Sequence, residues 1–263
     1  MNVAGKTVLL TGATGGLGHA IARRLAASGA HVILSGRRGD VLVTLAAEIG
    51  GEVAPADLSD AAAVHALAEA HADVDIIVAN AGLPASGRLA TYTAEQIERA
   101  LVVNLHSPIM LAHAIVPAMV QRGAGHIVFM SSLAGKTATA GSSIYNATKY
   151  GLRGFASALR AELHGTGVGV SAIFPGFIRD SGMFADANVK LPFGVGTKTP
   201  EHVAEATLRA IEHNRGEVDV APVGLKLGAK FGALAPELAA TVTRKSGGAG
   251  VADQFERGQM NKR

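Results

Sequence analysis

The 263-residue chain has no cysteine and no tryptophan, and only 4% of its residues are aromatic. Without cysteine there is no disulfide, no thiolate metal site and no cysteine nucleophile, and the redox compartment stays open. Charge is sparse too: 17% of residues are charged, the net charge is +3, and the basic residues form no long run. A nucleic-acid interface needs a concentrated basic footprint, so no nucleic-acid partner is expected. The ten histidines include no His-Glu-x-x-His pair on a helix face, so no metal site is expected. The start, MNVAGKTVLLTGATGG, breaks its short apolar run with glycines. Such a run fits neither a membrane span nor a secretory signal, and a cytoplasmic location is the default expectation.

What the chain does have is apolar residues, 48% of the total, and 33 glycines, nearly double a typical share. Short apolar runs at 7–11, 31–36, 52–57, 75–81, 126–132, 168–176 and 217–222 alternate with segments of helical period. Leu17, Ile21 and Leu25 line one face of the first helix. Thr93 with Gln96 three residues on is a capping-box pattern, and Thr199-Pro200-Glu201 supplies a cap, a proline at the first helical position and an acid. Buried-looking strands separated by helices predict one α/β domain with a parallel, doubly wound sheet of about seven strands and helices on both faces. Residues 177–199 are too long for an ordinary strand-to-helix link and are expected to form a lid or binding loop.

The first strand runs straight into TGATGGLG, Thr11 to Gly18. A glycine-rich turn between a strand and a helix lets backbone N–H groups and the helix N-terminus approach a pyrophosphate. The spacing Gly12, Gly16, Gly18 is weak alone, and its context carries the signal. The second strand ends in SGRRG, where an acid would bind a ribose 2′-hydroxyl and a basic residue a 2′-phosphate. Gly36 stands where the acid is expected, with Arg37 and Arg38 following, which favours NADP(H) over NAD(H).

Tyr145 is followed four residues later by Lys149, and Ser132 precedes it by thirteen. A free phenol titrates near pKa ~10 and serves poorly as an acid-base group at neutral pH. An ammonium on the same helix face, together with an oxidised nicotinamide ring, would stabilise the phenolate and lower that value. One Tyr-x-x-x-Lys arises by chance in about one such chain in ten, so the pair alone decides little. Ser132, at the C-terminal end of the fifth strand, stands where an open parallel sheet places its ligands, and its hydroxyl could hydrogen-bond a carbonyl.

Taken together, these motifs resemble the short-chain dehydrogenase/reductase family, a Rossmann-type fold, over about residues 5–222. The matching residues are Thr11 to Gly18, Asp57, Asn80-Ala81-Gly82, Asn104, Ser132, Tyr145 with Lys149, and Pro175-Gly176. The resemblance implies that Tyr145 exchanges the proton, Ser132 orients the carbonyl oxygen, Lys149 tunes Tyr145 and binds the nicotinamide ribose, and Asn104 holds a relay water. It implies cofactor contacts from Gly12, Thr14, Gly15, Gly16, Leu17, Gly18, Arg37, Arg38, Asp57, Leu58, Asn80, Ala81, Gly82, Pro175, Gly176 and Ile178, besides Tyr145 and Lys149. The thirteen-residue offset selects Ser132 over Ser131, and Tyr150 is read as a packing residue. One departure stands out: Asp180 replaces the threonine that often meets the nicotinamide carboxamide, with Ser181 following.

The expected activity is NADP(H)-dependent hydride transfer on a ketone or secondary alcohol. The alternatives are a 3-oxoacyl reductase, a hydroxysteroid-type dehydrogenase and, outside catalysis, an NADP-binding regulator. Met183, Phe184, Leu191, Pro192 and Phe193 in the lid could cover an apolar substrate. Residues 1–222 make up the catalytic domain and 223–263 a C-terminal extension whose polar end is expected to be mobile. Leu225, Leu227, Phe231, Leu234 and Leu238, with Lys226 and Lys230 nearby, predict a helix folded back on its own or a sister subunit; Pro236 argues against a long surface helix, and membrane contact is the less favoured alternative. A homodimer or homotetramer is expected.

Overall fold

In the computed structural model, the described residues are 1–187, 189, 191, 195–235, 237, 238, 241 and 248–259. Pro192, Phe193 and Pro236 lie outside them. The seven apolar runs become seven strands: β1 (Thr7–Thr11), β2 (His31–Ser35), β3 (Glu52–Val53), β4 (Ile76–Ala79), β5 (Gly125–Met130), β6 (Val168–Pro175) and β7 (Glu217–Val220). They form one parallel sheet in the order β3-β2-β1-β4-β5-β6-β7. The order reverses direction between β1 and β4, and an open parallel sheet binds ligands beyond the C-terminal strand ends at such a crevice.

Because side chains alternate across a strand, each strand feeds two cores. Leu9, Ile33, Ile77, Ile127 and Phe129 pack on α3 (Ala61–Ala70), α5 (Ser107–Arg122) and α6 (Ser143–Glu162). On the opposite face, Val8, Leu10, Val32, Leu34, Ile76 and Val128 pack on α1 (Gly16–Ala27), α2 (Gly39–Ile49) and α8 (Pro200–Glu212). A fully buried Leu, Ile or Phe side chain contributes roughly 1.5–3 kcal/mol. Two such layers hold the strand ends, and with them the site, rigidly.

Several strands end earlier than the sequence predicts. Expected to reach Asp57, β3 stops at Val53: Pro55 has no N–H to give the ladder, although Ala54 N still donates to Leu34 O and Ala56 N to Gly36 O. The turn after β4 begins at Asn80, whose N–H donates to the Thr11 hydroxyl. Past Met130, Ser132 accepts from Ala134 N and opens a 3₁₀ turn, Leu133–Gly135. Thr93 forms the predicted capping box with Gln96 at the start of α4 (Ala94–Leu101). By contrast, Thr199 makes no side-chain cap at α8; its hydroxyl pairs with His202 Nδ1 instead.

Between α4 and α5 the helix widens into a π-helical turn, Val102–His106, which holds Asn104. Beyond β6 the lid carries a short helix, α7 (Met183–Asp186). The extension begins with α9 (Val223–Leu234), which packs back on its own subunit through Leu225 and Ala229 while Val223, Leu227, Phe231 and Leu234 face outward. The polar end, to which the sequence assigned no element, contains a C-terminal helix, Gly248–Gln259, seated on α7.

Candidate active site

The glycines of the first turn are explained by close approach. Gly12 has φ 66°, and a Cβ on it would lie 2.7 Å from the Ala81 Cα. A Cβ on Gly18 would lie 2.2 Å from the Gly12 carbonyl oxygen. Side chains at either position would push the turn apart. Asn80 Nδ2 fastens the turn by donating to Thr11 O at 3.1 Å and Gly12 O at 3.2 Å, while Ala81 N donates to the Thr11 hydroxyl. Thr14, Gly15, Gly16 and Leu17 thus lead into the N-terminus of α1, whose free N–H groups and dipole favour an anion.

Beyond the end of β2, Arg38 donates to Thr14 O, and a Cβ on Gly36 would touch the Thr14 side chain at 3.1 Å. Arg37 and Arg38 are both exposed. Burial pushes the Asp57 carboxyl up, but the Ser59 N–H and hydroxyl, with Arg37 and Arg99 nearby, bring it below its usual range. Leu58 beside it is buried, and its carbonyl accepts from the Ser107 hydroxyl.

The four residues expected to react converge. The Ser132 hydroxyl stands close enough to the Tyr145 phenol to oppose its upward shift, and it lies 3.4 Å from the Pro175 carbonyl oxygen. Lys149, 3% exposed, donates to Met130 O at 2.9 Å and sits 5.7 Å from the centre of the Tyr145 ring. Asn104 exchanges two hydrogen bonds with the Leu83 backbone, accepting at 2.6 Å and donating at 2.9 Å. A Cβ on Gly82 would lie 3.3 Å from Asn104 Oδ1 and 3.8 Å from Lys149 Nζ, so this glycine leaves the two side chains access to one space. Ser131, the rejected neighbour, points away and donates to Lys149 O.

Two expectations need correction. Burial pushes the Tyr145 phenol up, and the Ser132 hydroxyl offsets this only in part. In the chain alone the burial of the phenol decides the sign, so the shift is opposite to the lowering expected from Lys149 together with an oxidised nicotinamide; Lys149 is itself pushed down to about 8 by its own burial. Tyr150, expected to pack, is 40% exposed; α6 turns Ile144, Thr148, Lys149, Leu152 and Ala156 inward and Tyr150 falls outside that stripe. Beyond Pro175, Gly176 packs on Ala221 and Leu133, and Ile178 is buried where its strand bridge meets Lys198.

Fit to a nicotinamide dinucleotide can be tested on the lid. The Ser181 hydroxyl is buried without a partner and rests on Gly16, where a Cβ would lie 2.2 Å away. An anion-seeking turn with an orphaned donor beside it fits a pyrophosphate.

A family model described as "short chain dehydrogenase" matches residues 6–191. The ketoacyl reductase HetN of Nostoc sp. is 38% identical over 225 residues, 82% of this chain and 78% of that protein. The chain belongs to the short-chain dehydrogenase family. A short-chain dehydrogenase from Sphingobium yanoikuyae in complex with NADPH superposes with TM-score 0.77 at 31% identity, covering 89% of this chain and 95% of that one. A 3-ketoacyl-(acyl-carrier-protein) reductase from Brucella melitensis complexed with NADH gives TM-score 0.74 at 27% identity, covering 83% and 97%. As a member, the chain is an oxidoreductase of hydroxyl and carbonyl groups that uses a nicotinamide cofactor.

Three residues near the lid escaped the sequence: Phe255, Gly258 and Gln259. They occur in a polar stretch with little apolar period, and only the i, i+4 spacing of Phe255 and Gln259 hints at a shared face.

Proposed function

We propose that the chain is an NADP(H)-dependent reductase of ketones, with oxidation of secondary alcohols as the reverse reaction. The observation that carries this is the convergence of Ser132, Tyr145 and Lys149 at the C-terminal ends of β5 and β6, beside the glycine turn. The nicotinamide, when bound, supplies or accepts the hydride. Ser132 orients the carbonyl oxygen by hydrogen bonding, and Tyr145 gives it a proton as the oxygen gains charge. A phenol pushed up by burial is protonated at neutral pH, which suits it to act as the acid in reduction. The Lys149 ammonium stabilises the phenolate that Tyr145 leaves and binds the ribose, and Asn104, buried next to it, holds the relay water through which the phenolate regains its proton.

NADP(H) is supported by Gly36, Arg37 and the tie between Arg38 and the glycine turn, and by the NADPH complex of the Sphingobium yanoikuyae relative. Likeness to HetN favours a 3-oxoacyl chain as substrate over other ketones. Exposed Leu101, Met110 and Val120 on α4 and α5 support a homo-oligomer. NADPH oxidation measured against a panel of ketones, including 3-oxoacyl thioesters, tests the activity. Tyr145→Phe should lower turnover by roughly a hundredfold or more while the nucleotide still binds. Turnover near the unaltered level would remove Tyr145 from the mechanism.

A further inference from the structure

The lid touches both ends of the cofactor crevice. Left-handed backbone at Asp180 (φ 73°) and Gly182 (φ 84°) brackets Ser181, whose side chain is thereby turned onto Gly16 of the pyrophosphate turn. A non-glycine residue at such φ costs conformational energy, which the surroundings must hold in place. Two residues on, Met183 reaches the other end: a Cβ on Gly82 would lie 3.6 Å from Met183 Cε and 3.8 Å from Lys149 Nζ. Ser181 and Met183 therefore span the groove in which a dinucleotide must lie. Exchange of that dinucleotide requires them to move.

What holds them is the far end of the chain. Gln259, 2% exposed, donates through Nε2 to Met183 O at 3.3 Å. Phe255 stacks on Phe177, with centroids 6.3 Å apart and planes at 21°, and meets Phe184 at 6.1 Å, while Phe177 and Phe184 lie 5.2 Å apart. Gly258 permits the contact, since a Cβ there would lie 2.5 Å from the Ala187 Cα and 2.6 Å from its carbonyl oxygen. Gln259 Oε1 is buried without a partner. A half-satisfied amide gains a hydrogen bond to water when the helix lifts, so the contact is built to open.

We propose that the C-terminal helix is a latch on the lid: Phe255, Gly258 and Gln259 are positioning residues that hold Ser181 and Met183 across the cofactor groove and so set the rate of nucleotide exchange. This rests on nucleotide binding in the proposed site and is independent of the choice between NADP(H) and NAD(H). Phe255→Ala and Gly258→Val in the full chain should each release NADPH about fivefold faster or more, followed by stopped-flow nicotinamide fluorescence, and should raise the KM for the nucleotide more than they change kcat. Phe255→Tyr should restore slow release, and the circular dichroism of all variants should match the unaltered protein. If Gly258→Val unfolds, Phe255→Ala and Gln259→Ala decide. Unchanged release from folded variants overturns the latch alone. Failure of the unaltered chain to bind either NADPH or NADH overturns the latch and the proposed function together.

Discussion

Lys149 Nζ and the Met130 carbonyl oxygen lie 2.9 Å apart, so the ammonium is held by the last residue of β5 and not by a carboxylate. Among the described residues nothing of opposite charge offsets its burial, and it is pushed down to about 8. The charge is complete below that value and lost as pH rises through it. If Lys149 supports proton delivery by Tyr145, kcat/KM for ketone reduction should fall as pH rises through about 8. Lys149→Arg keeps the charge and should move the fall to higher pH. Coincident pH profiles for the two proteins would exclude this role.

Arg38 is tied to the glycine turn through Thr14 O, whereas Arg37 acts on Asp57 through its charge. Replacing both with alanine should raise the KM for NADPH by roughly tenfold or more and leave the KM for NADH nearly unchanged, since only the former carries a 2′-phosphate. Steady-state kinetics with both nucleotides measures it. Equal effects would make the arginines ordinary surface residues.

The sheet was legible because its strands are continuous apolar runs and its helices carry a strong period; β1, with Val8, Leu9 and Leu10 fully buried, needs no tertiary information. For the candidate site, the turn from Thr11 to Gly18 and the pair Tyr145 and Lys149 could be read from context and spacing, whereas the choice of Ser132 and the role of each residue came from the family resemblance. Two kinds of feature were not legible. The sign of the Tyr145 shift depends on how densely the folded chain surrounds the phenol and the lysine, which no local pattern encodes. The C-terminal latch depends on contacts between Phe255 and Phe177, or Gln259 and Met183, separated by more than seventy residues. Pairings at that distance leave no period in the sequence.

His126 supplies a prediction about stability in place of catalysis. It lies on β5, 2% exposed, with Nε2 2.8 Å from the Ser171 hydroxyl. That hydroxyl donates to Arg215 O at 2.6 Å, so its oxygen is left to accept from His126, which places a proton on Nε2. Burial pushes the imidazole down to about 3, with the N-terminal ammonium and Arg160 adding to the shift. An unfolded histidine binds its proton near pH ~6.5. Between that value and about 3 the unfolded chain therefore holds a proton that the folded chain lacks, and the stabilisation present above the window is lost as pH falls through it. The slope is on the order of 1.4 kcal/mol per pH unit for this one group. His126→Gln keeps a donor toward Ser171 but does not titrate. It should be less stable than the unaltered protein at neutral pH, and urea unfolding should show that deficit shrinking as pH falls from about 6.5 toward 4. Two stability curves that stay parallel over that range would mean that His126 does not govern acid sensitivity.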